Sequence, residues 1–189
     1  LSLTSSSQYD GVGRLIASVD ESGLSTSHMY TLGGRITTTT RPGGFTEVSE
    51  QSLDGQTTSV TGDSVVAQYY SHSVQPDGTR VTEVRTARAD SPLFERTYTD
   101  MLGRTVRIER PGFGGSVEVA TTSYDAAGHV VRTTSTGSAA TLFEYDSLGE
   151  QVRSGLDVDG SGVLGVSSLD RIRESETKFV SVDGAYWQE

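Results

Sequence analysis

Tyrosine and aspartate side chains stand together at several places in the chain, three or four residues ahead of a glycine. The first copy is YDGVGR at residues 9–14, and variants return as YTLGGR, YDAAGH and YDSLGE. A phenol beside a carboxylate is a pair of groups suited to proton transfer. The same residue types also build tight turns, because aspartate accepts bonds from backbone N–H groups and glycine adopts positive φ.

Variation among the copies favours the turn. The aspartate is replaced by Thr31 in one copy and by Ser52 in another, and threonine and serine still support a turn. The residue after the glycine is arginine in some copies and becomes Gln56, His129 or Glu150 in others. A catalytic pair would not vary so freely. We therefore assign structural roles, as strand ends and turn residues, to Tyr9, Asp10, Gly13, Arg14, Tyr30, Gly34, Arg35, Asp100, Gly103, Arg104, Tyr124, Asp125, Gly128, Tyr145, Asp146 and Gly149.

A second group of acidic residues lies in LDVDGSGVLGVSSLD, residues 156–170. Oxygen-bearing residues alternate there ahead of Gly162, as in positions one to six of a calcium loop of the EF-hand type. Position twelve holds Ser168 instead of glutamate, and we expect Asp170 to fold back as its substitute. Because no helix pattern flanks the loop, a solvated Asp-Gly turn stays open as the other interpretation. The candidate calcium ligands are Asp157, Asp159, Ser161, Val163 and Asp170.

The glycine of the opening motif recurs at intervals of 21 to 25 residues, which predicts a repeat array. A second glycine follows about ten residues later in most units, so each unit is expected to hold two short antiparallel strands. The predicted fold is all-β, with tandem hairpins forming one long, curved antiparallel sheet. About seven repeats occupy residues 1–155. Residues 156–189 hold the acidic loop and a further hairpin, with a turn at Val182-Asp183-Gly184, that continues the same sheet.

Composition narrows the classes of function. A hydrophobic fraction of 33% predicts a thin core, or one left open for a neighbour. The net charge of −10 argues against nucleic acid as a partner, and no stretch reaches the roughly 20 apolar residues that a membrane helix needs. His28, His72 and His129 lack metal-ligand spacing, and no catalytic motif is present, so we do not expect an enzyme.

The motifs YDGVGRL, YTLGGRI, YTDMLGRTV and YDAAGHVV resemble the YD repeats of the Rhs family, which includes polymorphic bacterial toxins, shell subunits of insecticidal toxin complexes and the teneurins. The resemblance implies a β ribbon that spirals into a hollow shell around a separate C-terminal, toxin-like cargo segment. It implies a non-enzymatic part of the shell wall in a large bacterial protein, secreted or at the cell surface. Its partners would then be other repeats and the cargo of the same parent protein.

An alternative function is a carbohydrate-binding or cell-surface-binding module that uses the face of the sheet rich in tyrosine and threonine. Tyrosines at matching positions of the repeats would form an aromatic ladder, although packing between adjacent strands also explains them. These tyrosines are Tyr9, Tyr30, Tyr124 and Tyr145.

Overall fold

The computed structural model describes residues 4–175, 179–182 and 185–188. The chain divides into two compact units, Leu1–Arg96 and Thr97–Glu189. Strands of the first unit are β1 Ser6–Tyr9, β2 Leu15–Val19, β3 Ser25–Thr31, β4 Ile36–Thr40, β5 Thr46–Gln51, β6 Thr57–Gly62, β7 Gln68–Val74 and β8 Arg80–Thr86, and β9 Phe94–Thr99 crosses the boundary. Strands of the second unit are β10 Thr105–Pro111, β11 Val117–Tyr124, β12 Val130–Ser135, β13 Ala140–Tyr145, β14 Gln151–Asp157, β15 Arg171–Glu174, β16 Phe179–Val182 and β17 Ala185–Gln188.

Strand order in the sheet is the order of the chain from β1 to β15. Each hairpin pairs antiparallel, as in β3 with β4, where Thr31 lies opposite Ile36 and Ser27 opposite Thr40. Threonine-rich segments such as Thr37–Thr40 suit this arrangement, because β-branched side chains pack well on a pleated surface. The predicted fold class, an all-β open antiparallel sheet made of tandem hairpins, is confirmed.

The β1–β2 hairpin shows how the turns are closed. The Gly13 N–H donates to the Asp10 carbonyl at 3.0 Å, and the Asp10 N–H donates to the Arg14 carbonyl at 2.9 Å. Gly13 has φ +84°, in the left-handed region that glycine adopts without a Cβ clash. The register shifts between Gln8 and Tyr9, as expected for a type I turn followed by a β-bulge. The other six motif glycines also have positive φ: Gly34, Gly55, Gly78, Gly103, Gly128 and Gly149.

Few side chains are fully buried in the part of the chain that the structure describes. The buried hydrophobic residues are Val81, Ala140, Leu142 and Leu164. The last three form one cluster, against which Ile172 packs. Most strand residues are half-buried, as the low hydrophobic fraction predicts for a thin core. The chain is therefore held together mainly by its ladders and by contacts between adjacent strands.

The C-terminal hairpin consists of β16 and β17, with Val182 opposite Ala185. These two strands pair with each other in a two-stranded sheet of their own, whereas the sequence predicts a hairpin that continues the long sheet. Residues 183 and 184 of the predicted turn lie outside the described residues. β14 extends to Asp157, so the first candidate calcium ligand ends a strand of the repeat array. Among the described residues, no helix has the length and hydrophobicity to span a membrane.

Candidate functional site

Asp10 organises the first turn through both carboxylate oxygens. Its Oδ1 accepts the backbone N–H groups of Val12 at 3.0 Å and Arg14 at 2.9 Å, and its Oδ2 accepts Arg14 Nε at 2.7 Å. The Arg14 N–H is the largest cause that holds the pKa of Asp10 below its ordinary value, against the opposing effect of burial. The carboxylate of Asp10 is thus bonded to donors of its own turn.

The same hydrogen bonds recur in later repeats. In the turn at Asp100, Oδ1 accepts the Leu102 and Arg104 N–H groups at 2.9 Å, and Oδ2 accepts Arg104 Nε at 2.8 Å. In the turn at Asp146, Oδ1 accepts the N–H groups of Leu148 and Glu150. Each of these aspartates satisfies backbone donors that would otherwise be left without a partner at the tip of a hairpin.

The aspartate is absent from the turns at Thr31, Ser52 and Gln75, and the first two depart from the pattern in different ways. After Thr31 the chain forms a short 3-10 turn at Leu32–Gly34, with Leu32 at φ +47°, and Arg35 has no carboxylate at position 31 to pair with. In the turn at Ser52, the carboxylate is supplied two residues later by Asp54. It accepts hydrogen bonds from the Ser52 hydroxyl and from Gln56 Nε2. The role of Asp54 was missed from the sequence.

Asp20 makes a further copy of the turn that the sequence analysis did not single out. Its Oδ1 accepts the N–H groups of Ser22 at 2.8 Å and Leu24 at 2.9 Å. Gly23 follows at φ +80° and donates to the Asp20 carbonyl. The signal was present in the sequence as an aspartate three residues before a glycine, at the closing turn of the repeat.

The arginine of one repeat stacks on the tyrosine of the next. Arg14 Cζ lies 4.5 Å from the ring centroid of Tyr30, and Arg104 Cζ lies at the same distance from Tyr124. A guanidinium within about 6 Å of an aromatic centroid makes a favourable cation–π contact. The turn aspartate accepts a hydrogen bond from Nε of each arginine and thereby keeps the guanidinium in position over the ring.

The tyrosine hydroxyl completes this connection. Tyr30 donates to the Leu15 carbonyl and Tyr124 to the Thr105 carbonyl, both at 2.9 Å. In each case the acceptor is the residue directly after the stacking arginine. We call this arrangement the Asp–Arg–Tyr contact; its members are Asp10, Arg14 and Tyr30 in one copy and Asp100, Arg104 and Tyr124 in another. It joins neighbouring hairpins through side chains, in addition to the backbone ladder.

His129 occupies the arginine position in a third copy. Its Nδ1 lies 2.9 Å from Asp125 Oδ2, and its ring stacks on Tyr145 with centroids 4.6 Å apart. The Tyr145 hydroxyl donates to the Val130 carbonyl at 2.9 Å. An Asp–His pair alone resembles part of a catalytic triad, but arginine makes the same contacts in the equivalent copies. The equivalence indicates a structural role for this histidine.

Tyr98 uses a different partner. Its hydroxyl donates to Glu109 Oε2 at 3.1 Å, and Arg107, which pairs with Glu109, lies with its Cζ 5.1 Å from the Tyr98 ring. Glu109 is only 5% exposed. The carboxylate of this buried residue is therefore contacted by a phenol and by a guanidinium.

Tyr9 differs from the other motif tyrosines. It is 61% exposed, and within the described residues its hydroxyl makes no hydrogen bond. By contrast, the hydroxyl and one ring face of Tyr30, Tyr124 and Tyr145 are engaged inside the protein. The aromatic ladder considered from the sequence therefore has much of its surface already occupied.

The acidic loop between β14 and β15 brings three of its predicted ligands together. Asp157, Asp159 and Asp170 each place a carboxylate oxygen so that the three oxygens lie within 4.8 Å of one another. The other two candidates contact each other, since the Ser161 hydroxyl donates to the Val163 carbonyl at 3.0 Å. Asp170 returns across the loop to meet the carboxylates of Asp157 and Asp159.

Backbone donors orient Asp170. Its Oδ1 accepts the Val158 N–H at 2.9 Å and its Oδ2 accepts the Gly165 N–H at 3.0 Å. The Gly165 N–H, followed by the bond with Ser168, holds the pKa of Asp170 below its ordinary value. The carboxylate is therefore charged at neutral pH and fixed in place by the loop.

Comparison with known proteins gives one family match. Residues 9–46 match the RHS repeat, a segment that spans the hairpins closed by Gly13 and Gly34. No curated protein matches the chain in sequence. The match ends within the first unit, but the same turn contacts continue into the second.

Solved structures that match this chain in the structural comparison include chains of toxin complexes. A TcdB2-TccC3-Cdc42 structure is 18% identical over 80% of this chain, with a TM-score of 0.39, and a TcdB2-TccC3-TEV structure is 14% identical over 82%, with a TM-score of 0.38. The Photorhabdus luminescens Tc holotoxin pore with a mutated TccC3 is 12% identical over 96% of the chain, with a TM-score of 0.31. This chain spans only 7%, 10% and 13% of the length of those chains.

The Asp–Arg–Tyr contact in the first unit lies entirely within the matched segment, since its members run from Asp10 to Tyr30. Equivalent contacts recur at Arg104 with Tyr124 and at His129 with Tyr145. Residues 9–46 thus match the RHS repeat, and the side-chain contacts of the matched segment recur outside it.

Proposed function

We propose that this chain is a non-enzymatic structural module, part of the wall of a YD-repeat shell that encapsulates or displays a C-terminal, toxin-like segment of a large exported bacterial protein. The observation that carries the proposal is the Asp–Arg–Tyr contact. The carboxylate, guanidinium and phenol of this contact could suggest a catalytic site, but they join one hairpin to the next, as Arg104 and Tyr124 do.

The burial of the described residues supports the same role. A catalytic domain of this size normally closes a thick core around a pocket, whereas only four hydrophobic side chains are buried here. The turn tips present apolar side chains to solvent, with Leu53 at 91% and Leu148 at 85% exposure. A wall segment that is covered by other parts of its parent protein accounts for both features.

The proposed mechanism is steric. A wall of paired strands keeps proteases away from a segment that it encloses. Backbone groups that are hydrogen-bonded in its ladders are poor substrates for cleavage. The partners are then the remaining repeats and the cargo segment of the same parent protein, and the location is the cell surface or the extracellular space.

Protease protection in the full-length parent protein tests this function. The segment that follows the repeats should resist a protease that rapidly digests the same segment expressed alone. A parent protein with Tyr124→Ala and Tyr145→Ala should lose this protection, and one with Tyr9→Ala serves as the matched control. Equal digestion rates for the enclosed and the free segment would overturn the proposal.

A glycan-binding function remains the alternative, but no contact in the described residues favours it over the wall. The exposed ring of Tyr9 is the aromatic surface that such a function would use first. Glycan-array binding by the chain that disappears in Tyr9→Ala would support this alternative against the wall. Absence of binding on the array would remove it.

A further inference from the structure

The loop between β14 and β15 is folded back onto the sheet by one apolar side chain. Leu164 is 3% exposed and belongs to the buried cluster with Ala140 and Leu142. Gly155 leaves room for it, because a Cβ at that position would lie 3.1 Å from Leu164 Cδ2 and 2.4 Å from the Arg171 carbonyl oxygen. The loop therefore has a defined conformation, set by packing as well as by its own hydrogen bonds.

The carboxylates of Asp157, Asp159 and Asp170 meet beside this cluster. Their nearest oxygens lie within 4.8 Å of one another, and none of the ion pairs found among the described residues includes any of the three. Three like charges at this separation repel one another. A cation between them would turn this repulsion into attraction.

Asp157 provides an independent sign of a missing partner. The residue is only 3% exposed, and its Oδ2 accepts the Gly162 N–H at 3.0 Å. Its Oδ1 is buried and, within the described residues, has no hydrogen-bond partner. A buried carboxylate oxygen without a partner is costly, and such groups are rare in folded proteins unless an ion or a water molecule satisfies them. This oxygen is the one that Asp157 has free for a ligand.

The other two carboxylates are held in place by backbone donors. Asp159 Oδ1 accepts the Ser161 N–H at 2.9 Å, and the two Asp170 oxygens accept the N–H groups of Val158 and Gly165. Each oxygen that accepts one bond keeps a second lone pair for a metal. The ligands are thus preorganised, with little loss of side-chain entropy on binding.

We propose that Asp157, Asp159 and Asp170 bind a single calcium ion that fixes the β14–β15 loop to the end of the repeat array. The donors are all carboxylate oxygens, which suit hard cations, and no histidine or cysteine belongs to the cluster. Calcium tolerates irregular oxygen sites with added water ligands, whereas magnesium requires a nearly ideal octahedron. The ion is assigned to the three carboxylates because their oxygens converge to within 4.8 Å of one another.

Calcium titration of the 189-residue chain by isothermal calorimetry, together with thermal melts in calcium, magnesium or chelator, tests the site. We expect one ion per chain, with Kd on the order of 10⁻⁴ M, as for extracellular calcium modules. Calcium at about 100 times Kd should raise the melting temperature of the transition that includes the loop by roughly 5–10 °C, because the ion binds only the folded state. The same concentration of magnesium should raise it less.

Variants separate the proposed site from general attraction of cations to an acidic protein. Asp159→Asn alters an exposed ligand and should fold normally, yet it should weaken calcium binding at least about tenfold. Asp157→Asn should abolish the calcium-dependent shift. Asp90→Asn removes an 85% exposed carboxylate from the other unit and serves as the matched control with unchanged binding. Equal losses in the Asp159 and Asp90 variants, an equal response to magnesium, or no calcium-dependent shift in the unmodified chain would overturn the proposal.

Discussion

Replacing Tyr124 by phenylalanine isolates one component of the Asp–Arg–Tyr contact. The change removes the hydroxyl that donates to the Thr105 carbonyl at 2.9 Å and leaves the ring under Arg104. A hydrogen bond of normal length at a half-buried site contributes about 1 kcal/mol to the free energy of unfolding. We expect Tyr124→Phe to lower that free energy by this amount.

Tyr124→Ala removes the ring as well. The Arg104 guanidinium, 4.5 Å from the centroid, then loses a cation–π contact worth about 0.5–1 kcal/mol, and the half-buried ring loses roughly 1 kcal/mol of apolar burial. Together with the hydroxyl, the total loss is about 2.5–3 kcal/mol. The two variants therefore form a graded series in which each step has its own structural cause.

Urea unfolding followed by circular dichroism measures these differences, provided that the slope of the transition stays constant across the variants. Tyr9→Phe is the matched control, because Tyr9 is 61% exposed and its hydroxyl makes no hydrogen bond in the described part of the chain. We expect this control to change the free energy of unfolding by less than about 0.5 kcal/mol.

Two results would refute this reasoning. A Tyr124→Phe loss no larger than that of Tyr9→Phe would mean that the hydroxyl contributes nothing to stability. A double-mutant cycle of Arg104→Ala with Tyr124→Ala that shows no coupling would mean that the stacking is only geometric, since residues in real contact couple by about 0.5 kcal/mol or more.

Three further predictions concern His129, Gly62 and the stability of the protein at low pH. Because arginine makes the same contacts in other copies, His129→Arg should change the free energy of unfolding by less than about 0.5 kcal/mol. His129→Ala removes these contacts and should lower it by roughly 1 kcal/mol. Equal losses for the two variants in urea unfolding would contradict this prediction. Gly62→Ala should lower the free energy of unfolding by more than about 3 kcal/mol, since its Cβ would lie 2.2 Å from the Thr46 carbonyl oxygen. Gly137 has open space around it, so Gly137→Ala should lower it only by the roughly 1–2 kcal/mol that a left-handed backbone costs alanine. Similar melting temperatures for the two variants would refute the steric cause. The pKa values of Asp10, Asp100 and Asp125 are lowered, so these carboxylates stabilise the fold fully above their ordinary pKa of 3.8 and lose this contribution as the pH falls through the lowered values. The melting temperature should therefore be constant down to about pH 5 and fall below about pH 4. An unchanged melting temperature at pH 3 would count against these hydrogen bonds.

Much of the fold was predictable because the turns that contain the motif close within five residues. Asp10 bonds to the N–H groups of residues two and four positions later, and Gly13 follows at a fixed spacing, so the pattern is complete in the local sequence. The same local logic identified the turns at Asp100, Asp125 and Asp146. It was less informative after Thr31, where a 3-10 turn with positive φ at Leu32 replaces the common form.

The candidate calcium site was only partly predictable. Asp157 and Asp159 were identified from alternation, which is a local property. The position of Asp170 depends on the fold of the loop, in which Leu164 packs on the sheet and Gly155 leaves it room. Ser161 and Val163 were predicted by analogy with a loop that is flanked by helices, and here the loop is flanked by strands.

The sequence by itself determined the repeat, the turns and the antiparallel strand order, because hydrogen bonds between near neighbours and a period of two residues express themselves in local patterns. Only the tertiary structure decided which side chains of different repeats meet. The Tyr30 hydroxyl donates to a carbonyl 15 residues away in the sequence. Glu109 is contacted by Arg107 on its own strand and by Tyr98 on the neighbouring strand. Such contacts depend on strand register and on the bulges found next to several turns, because a shift of one residue would turn every side chain of a strand to the opposite face.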